Sequence, residues 1–487
     1  MYGDTSTVGA PPAGTTRVLT WAVDRYAAGV AAITGVAFLV RVVLLGSVPR
    51  FWGDEAFTAV QVRKPLGAML TVISRDSHPP LFYFLLRGVA LVSTGPAAMR
   101  SVSAIAGTAA VVLAAALGRR VAGNTGGLLS AAALAGFPAY VFSSRDGRGY
   151  MLASCLALAA VLALWRAVER PSQARLAVYG LAVLAAVYTH YFDVLAVVTA
   201  LSAALVVFRP PRSTVVKLCA TCAAGMLPLV PWVLFARAQL QHLSQRFWLQ
   251  PMRWGPFLSD VVARLRSAPL QEFGQVSAWL SIVAGLGLLV AVYRRVGPAQ
   301  RRGVLYLLAC SVIPTLALLV SAAWLPFYAD RYAAIFWGTA AVLLGAAFAV
   351  LGRAWVGIAA CATLGAVGIL GVLFIQRADF QQLVGPLRGH VAASDIVALD
   401  GPEFYYPMAY FGDAEVVAAL RVIGETPPWF EGTAGFPAGT VVPKIPAPER
   451  GLYVLEDPRA RALLIPAGFR EVDHRCRDGL CVDHYTR

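Results

Sequence analysis

Residues 77–86 read SHPPLFYFLL, and this stretch decides how the rest of the chain is threaded. It opens an apolar segment, 79–93, that is only 15 residues long. A helix needs about 20 apolar residues to cross a ~30 Å hydrocarbon core. The two prolines also fix an extended turn before the helix begins. We therefore interpret 79–93 as an interfacial or re-entrant helix that enters and leaves on the same side of a membrane.

The composition of the whole chain predicts a membrane protein. Of its 487 residues 58% are hydrophobic and 14% are charged, and the mean hydropathy is +0.66. The sequence predicts an all-α polytopic bundle of about eleven transmembrane helices. The predicted spans are 27–45, 102–117, 126–142, 151–164, 176–188, 194–208, 216–235, 278–293, 304–324, 333–351 and 356–375.

The distribution of positive charge along the chain agrees with this membrane topology. The net charge of +15 comes largely from arginine clusters between alternate spans, as at Arg119 and Arg120. Positive residues concentrate on the cytoplasmic side of membrane proteins. With 79–93 left out of the span count, every such cluster falls on one side. This predicts a plasma-membrane protein with a cytoplasmic N-terminus. No nucleic-acid-binding signature is present, so nucleic acid is not a predicted partner.

Four regions follow from these patterns. Residues 1–20 are predicted to be a disordered cytoplasmic segment and 21–375 the membrane domain, with outer loops at 46–100 and 237–275. Residues 376–487 turn polar and contain short strand-like runs, DIVALD (395–400) and GLYVLED (451–457). They predict a small extracytoplasmic α/β domain. Cys476 and Cys481 lie in this domain and would be able to form a short disulfide outside the cell.

Two adjacent acids stand out in the first outer loop. Residues 51–58 read FWGDEAFT, so Asp54 and Glu55 follow the first span closely, flanked by aromatic residues that suit a membrane interface. Adjacent side chains usually diverge. One acid is therefore expected to be catalytic, and its neighbour structural or substrate-binding.

Other polar residues are predicted to meet at the same outer face. In SSRDGRGY (143–150) two arginines three residues apart would face the same way on a helix or tight turn, and paired guanidinium groups suit a phosphate. The loop RFWLQPMRWG (246–255) would embrace a lipid head group or sugar, or form an interfacial helix. The remaining outer-face candidates are His78, Arg145, Arg148, Tyr150, His190, Tyr191, Arg331 and Tyr332.

Together these residues resemble the GT-C glycosyltransferases. An Asp-Glu in the first outer loop, then His-Pro-Pro-Leu, an Arg-x-x-Arg-x-Tyr stretch and a late Arg-Tyr are similar to the family 39 and aminoarabinose-transferase-like branch, which includes protein O-mannosyltransferases. The resemblance covers about residues 20–350. It implies a GT-C-type bundle that takes sugars from polyprenyl-phosphate donors at the extracytoplasmic face.

The resemblance also implies roles for single residues. Asp54 matches the catalytic aspartate that takes the proton of the acceptor hydroxyl, and Glu55 the neighbouring acid. Arg145, Arg148 and Arg331 become candidates for binding the donor phosphate, across the cavity from Asp54. The substrate-binding candidates are His78, Tyr150, His190, Tyr191 and Tyr332. Asp54 and Glu55 are also the residues that would hold a divalent metal ion, and no other cofactor is implied.

The implied partners are a polyprenyl-phosphate sugar, membrane lipids and a glycolipid, polysaccharide or protein acceptor. The Ala-, Gly-, Val- and Arg-rich composition suggests a bacterium with a high-GC genome, such as an actinomycete, for which a decaprenyl-phosphate mannose or arabinose donor is plausible. A polytopic transporter or lipid flippase is the alternative. Transporters place charges at mid-membrane on broken helices, whereas here they gather at the outer ends of the spans. A scaffold that uses the bundle merely as an anchor would leave the two acids unexplained.

Overall fold

The architecture comes from a computed structural model that describes residues 13–46, 51–242, 293–321, 329–352, 354–373, 379–425, 432–458 and 463–487. Several predictions lie outside these residues. They are the span 278–293, the first twelve residues of the predicted disordered segment, and the part of the outer loop that contains Trp248 and Trp254.

Helices make up the described first half of the chain, because long apolar runs in a membrane must satisfy their backbone hydrogen bonds within the segment. The helices are α1 Ala13–Gly46, α2 Gly53–Arg63, α3 Leu66–Ile73, α4 Leu81–Ala90, α5 Pro96–Gly136, α6 Pro138–Ser143, α7 Tyr150–Glu169, α8 Gln173–Thr189, α9 Phe192–Phe208, α10 Arg212–Met226, α11 Leu229–Phe235 and α12 Arg237–His242.

The described part of the second half contains longer or bent helices followed by short ones. These are α13 Pro298–Ser321, α14 Asp330–Ala333 with a 3₁₀ turn Ala334–Phe336, α15 Gly338–Val350, α16 Ala354–Leu373, α17 Phe380–Val384, α18 Tyr405–Phe411 and α19 Ala414–Ala419. Further 3₁₀ turns are Gly385–Leu387, Pro402–Phe404 and Thr433–Gly435.

Helix α5 is a hairpin whose two halves pack against each other. Ala122 and Gly123 are not helical, and Gly123 has a φ of 68°, which glycine adopts without strain. The halves touch closely: a Cβ on Gly118 would lie 2.2 Å from the Ser130 hydroxyl oxygen. The chain therefore reverses beside Arg119 and Arg120, between the predicted spans 102–117 and 126–142.

Helices lie at the ten predicted spans that fall wholly or largely within the described residues; the last residues of 304–324 and 356–375 lie outside them. By length and hydropathy, six helical segments of the described chain are long enough to cross a membrane, with α10 and α11 counted together as one. The bent pair Asp330–Phe336 and Gly338–Val350 would make a seventh. Helices α8 and α9 are apolar but shorter. The chain is a multi-pass helical membrane protein. The count of eleven spans and the orientation remain predictions.

The predicted short helix at 79–93 is present as the ten-residue α4. It lies with α2 and α3 between the long helices α1 and α5. Phe82 and Leu86 of α4 are buried, whereas Leu91 and Val92 just after it are largely exposed. An apolar buried side with apolar residues left exposed at the end suits a helix at a membrane surface.

The C-terminal residues form one six-stranded sheet. The strands are β1 Ile396–Leu399, β2 Leu420–Ile423, β3 Val441–Val442, β4 Gly451–Glu456, β5 Arg470–Arg477 and β6 Leu480–Thr486. Their order is β3-β2-β1-β4-β6-β5. The first four strands in this order are parallel, and β6 and β5 add an antiparallel edge.

An apolar cluster joins this sheet region to the short helices α2–α4. It contains Phe57 of α2, Phe82 of α4, Tyr406 and Met408 of α18, and Leu455 of β4. Because these residues share one core, the C-terminal region and the segment that carries the two acids are packed as a unit.

Candidate active site

Helix α2 begins at the two acids, so both carboxylates lie in its first turn. A helix N-terminus carries partial positive charge and favours acids there. Successive helical residues point about 100° apart, since a turn holds 3.6 residues. The two side chains diverge as predicted: Glu55 is fully buried, and the Asp54 side chain is 34% exposed.

Glu55 is held in a buried ion pair with Arg100 of α5. The Nε and Nη2 atoms of Arg100 each donate to one carboxylate oxygen at 2.7 Å, and both side chains are 0% exposed. The backbone N–H of Gly147 donates to Oε1, also at 2.7 Å. Paired charge-assisted hydrogen bonds of this kind are strong and directional. Glu55 therefore ties together α2, α5 and the turn at 144–149.

Arg148 joins the same turn to the other side of α2. Its Nη1 donates to the Thr58 hydroxyl at 3.0 Å and to the backbone oxygen of Asp54 at 3.4 Å. Its Nη2 lies 3.2 Å from Nδ1 of His78. Burial disfavours the charge, but the surrounding acids and phenols more than offset it, and the pKa of Arg148 is raised. Arg148 is a permanent buried cation beneath Asp54.

The hydrogen bonds of the two buried histidines place the proton on the same ring nitrogen. Arginine can only donate, so Nδ1 of His78 accepts and we infer that its proton is on Nε2. Nδ1 of His190 accepts from the Phe192 N–H at 3.2 Å, which again places the proton on Nε2. Burial first, and then the charge of Arg148 among other neighbours, lowers the pKa of both rings. Both are therefore neutral donors at neutral pH.

Asp76 lies behind His78. Its Oδ2 accepts from the Tyr83 hydroxyl at 3.2 Å and lies 3.8 Å from Nδ1 of His78. Burial opposes the charge of this carboxylate, but its polar and cationic neighbours, Arg148 among them, outweigh burial and lower the pKa of Asp76. The cluster thus contains a buried acid that balances the charge of Arg148.

Arg331 approaches Asp54 from the opposite side. Its Nη1 lies 3.4 Å from Oδ2 of Asp54, and its side chain is 29% exposed. The guanidinium carbon lies 5.5 Å from the ring centre of Tyr150, 5.4 Å from that of Tyr332 and 5.9 Å from that of Trp52. These distances suit cation–π contacts, which fix the head group over three rings. Arg331 lies directly beside Asp54, whereas the arginines were predicted to face it across the cavity.

Five rings form the floor of the site. Tyr150 and His190 lie 5.7 Å apart between ring centres, His190 and Tyr332 also 5.7 Å, and His78 and His190 5.2 Å. Phe192 stacks on His190 at 5.4 Å. The predicted residues His78, Tyr150, His190 and Tyr332 therefore meet, although they come from four separate parts of the chain.

Two predicted residues lie elsewhere. Nη1 of Arg145 donates to the backbone oxygen of Val372 in α16 at 2.9 Å, so Arg145 does not face the same way as Arg148. The reason is local: residues 144–149 form turns and bends, not the helix that would align them. Tyr191 points toward α12, where its hydroxyl donates to Gln239 at 2.7 Å.

The structure also brings in residues that the sequence did not single out as site residues. Trp52 covers Arg331 and donates from Nε1 to Asp146 at 3.2 Å. Thr58, Asp76 and Phe192 complete the contacts of Arg148, His78 and His190. Asp76 had a usable signal, since it precedes His78 by two residues. The others are ordinary residue types whose role depends on tertiary contacts.

The C-terminal region packs directly on α2. Phe51 lies 4.7 Å from the ring of Tyr410, and Phe57 lies edge-on to Tyr406 at 4.9 Å. A Cβ on Gly53 would come within 3.3 Å of the backbone oxygen of Glu403. The helix that begins with the two acids is therefore held between the bundle and α18.

Comparison with known proteins agrees with this architecture. The model of the dolichyl-phosphate-mannose-protein mannosyltransferase family matches residues 77–235, about a third of the chain. Comparison with curated protein sequences gives no match.

Solved structures share the fold over almost the whole chain. ArnT from Cupriavidus metallidurans, solved in the apo state and bound to undecaprenyl phosphate, superposes with a TM-score of 0.64 at 12% identity, over 93% of this chain and 97% of that one. The oligosaccharyltransferase of Archaeoglobus fulgidus gives a TM-score of 0.56 at 11% identity, over 88% and 69%. The resemblance drawn from the sequence is confirmed at this level: the chain has the fold of the GT-C glycosyltransferases.

Proposed function

We propose that this protein transfers a glycosyl group from a polyprenyl-phosphate donor to a hydroxyl acceptor at the extracytoplasmic face of the plasma membrane. A fold shared with an ArnT structure that contains undecaprenyl phosphate supports a lipid-linked donor. The observation that carries the proposal is the pairing of Asp54 with Arg331. One acid and one cation, both partly exposed, lie together on a buried floor of rings and neutral histidines.

Asp54 is the proposed general base. The acceptor hydroxyl gives its proton to Oδ2 of Asp54 as its oxygen bonds to the anomeric carbon of the sugar. The bond from that carbon to the phosphate oxygen breaks, and its electron pair leaves with the polyprenyl phosphate. A positioned general base typically contributes about 10²–10⁴-fold to the rate.

Arg331 is the proposed receptor for the departing phosphate. Its guanidinium is held over Tyr150 and Tyr332, so it needs little rearrangement when negative charge develops. Nε2 of His190 is buried and has no hydrogen-bond partner among the described residues. A buried N–H without an acceptor is costly, and an oxygen atom of a bound ligand would remove this cost by accepting its hydrogen bond. We assign His190 and His78 to the same phosphate or to a sugar hydroxyl.

Arg148 and Glu55 are proposed to position these groups. Arg148 already donates to Thr58, to the Asp54 backbone and to His78, so its charge acts through the protein framework. Glu55 is engaged by Arg100 and Gly147. Of the two adjacent acids, Asp54 therefore fits the reacting one.

The Asp54–Glu55 pair does not fit a shared divalent ion. A metal held by both would need free carboxylate oxygens on the same side of α2, whereas Glu55 points into its ion pair and Asp54 points to Arg331. No step of the proposed reaction is routed through a metal. Mannose and arabinose remain the proposed sugars, and the matched family favours testing mannose first.

The test is transfer of labelled sugar by purified protein in proteoliposomes that contain a synthetic polyprenyl-phosphate sugar and membrane acceptors that supply the hydroxyl group. We expect release of polyprenyl phosphate by the wild type and a loss of about 10²–10⁴-fold in Asp54→Asn. Glu169→Gln removes an exposed acid paired with Arg120 and serves as the matched control with full activity. Full activity in Asp54→Asn would refute the assignment of Asp54 as the general base. Lipid movement without sugar transfer would favour the flippase.

A further inference from the structure

We propose that the hairpin β5–β6 carries a binding site for a thiophilic divalent cation such as Zn²⁺, closed when Cys476 and Cys481 form their disulfide and opened by reduction. The site lies in the C-terminal sheet and shares no residue with the candidate active site.

The sheet register brings the ligands together. Cys476 pairs across the hairpin with Cys481, and His474 pairs with Asp483. Residues two apart on a strand share a face, so all four side chains project from the same side of the hairpin. The two sulfur atoms and a ring nitrogen of His474 lie within 4.8 Å of one another.

The histidine is oriented toward the sulfur. Its Nδ1 lies 2.5 Å from Oδ1 of the buried Asp483, and its Nε2 lies 3.0 Å from Sγ of Cys476. A carboxylate behind a histidine, with the other nitrogen aimed at the metal, is the usual support of zinc ligands in proteins. Two thiolates and one imidazole form a ligand set that zinc accepts, with a fourth position left for solvent.

The hairpin keeps this arrangement without the disulfide. Strand β6 is hydrogen-bonded to β4 on one side and to β5 on the other, and the turn uses Asp478 and Gly479 at positive φ. Such an Asp-Gly turn matches the twist of a two-residue hairpin. The disulfide spans only five positions, and so short a loop gives it little entropic stabilisation. Reduction therefore produces two thiols on a hairpin whose backbone hydrogen bonds keep them close together.

The chemistry is balanced by an external dithiol. The dithiol reduces the S–S bond with two electrons and becomes a disulfide itself, and Cys476 and Cys481 become thiols. On metal binding each thiol releases one proton to solvent, and the cation takes two thiolates and Nε2 of His474. The His474 side chain is 55% exposed, so the cation can reach the site directly.

Cobalt(II) tests the site, because thiolate ligands give it a charge-transfer absorption. The protein in detergent is first reduced with a dithiol. The dithiol is then removed under anaerobic conditions, and the reduced protein is titrated with Co²⁺. We expect the reduced protein to bind one Co²⁺ per chain and to show the thiolate-to-cobalt absorption, which Zn²⁺ should abolish by displacing the cobalt. The oxidised protein should show no such absorption. The absorption should be lost in Cys476→Ser. Asp483→Asn should weaken binding about 10–100-fold.

The chain supplies its own control for the other thiols. The double change Cys219→Ser and Cys222→Ser removes a pair of cysteines on α10 and should leave the cobalt absorption unchanged. An equal absorption in Cys476→Ser, or none in the reduced wild type, would overturn the proposal.

Discussion

Replacing Glu55 by glutamine separates a positioning acid from a reacting one. The side chain keeps its size, but Arg100 loses its counter-charge in a site where both groups are 0% exposed. Among the described residues, Arg100 donates two hydrogen bonds to the carboxylate and the Gly147 N–H donates another. An amide in the same place has one oxygen and turns an NH₂ group toward one of these donors.

The size of the effect follows from this geometry. Removing one partner of a buried ion pair costs about 3–5 kcal/mol, because the remaining charge is left without compensation. We expect Glu55→Gln to lower the free energy of unfolding by an amount in this range. Changing Arg100 to glutamine as well removes the stranded charge. The double variant should therefore be more stable than the sum of the two single changes predicts.

Thiol labelling during heating provides the assay. Cys155 and Cys310 are buried in the bundle, so a maleimide dye reports unfolding in detergent. Glycosyl transfer is measured beside it. Glu55→Gln should unfold earlier and keep measurable activity below its transition. Asp54→Asn should unfold like the wild type and lose activity. A Glu55→Gln protein of normal stability and no activity would refute our assignment and give the reacting role to Glu55.

Three further predictions concern the surroundings of Asp54. Arg331→Gln should lower the rate at saturating donor about 10²–10³-fold, as for other lost donors to a developing charge, with little change in the melting temperature; an unchanged rate would exclude the phosphate role. Phe57→Ala removes a buried ring at the contact with α18 and should cost about 3–5 kcal/mol and expose the C-terminal region to protease. The half-exposed Phe38→Ala is its control. Stability should fall as the pH drops below about 6.5, because the unfolded chain binds protons that the buried His190, with its lowered pKa, does not; His190→Phe should flatten this slope, and an identical slope would contradict it.

Much of the fold was predictable because each span is specified by its own local sequence. Apolar runs of sufficient length specify helices, and the fifteen-residue run after His78 is too short to cross a membrane and forms α4. The turn of the α5 hairpin lies at Gly123, directly after the basic pair Arg119 and Arg120. The strands of DIVALD and GLYVLED were also predicted and become β1 and β4.

The sequence predicted several of the residues that meet at the site, but it did not predict which of them contact one another. That Asp54 and Glu55 diverge follows from helical geometry. The partner of Glu55 does not, because Arg100 is 45 residues away on another helix. The orientation of Arg145 depended on whether 144–149 is helical, and two glycines in that stretch allow the turns that send it to α16.

Contacts of α18 in the C-terminal region help to hold α2, the helix that carries the proposed base Asp54. Helix α2 is only 11 residues long. Glu55 fixes one side of its first turn to α5, and Arg148 fixes another through Thr58. The remaining side is covered by Tyr406 and Tyr410 of α18. Loss of any one of these three contacts would leave Asp54 present but free to move away from Arg331, and a displacement of about 1 Å can cost about 10²-fold in rate. We therefore propose that the C-terminal region acts on the site indirectly, by packing against the helix that carries Asp54.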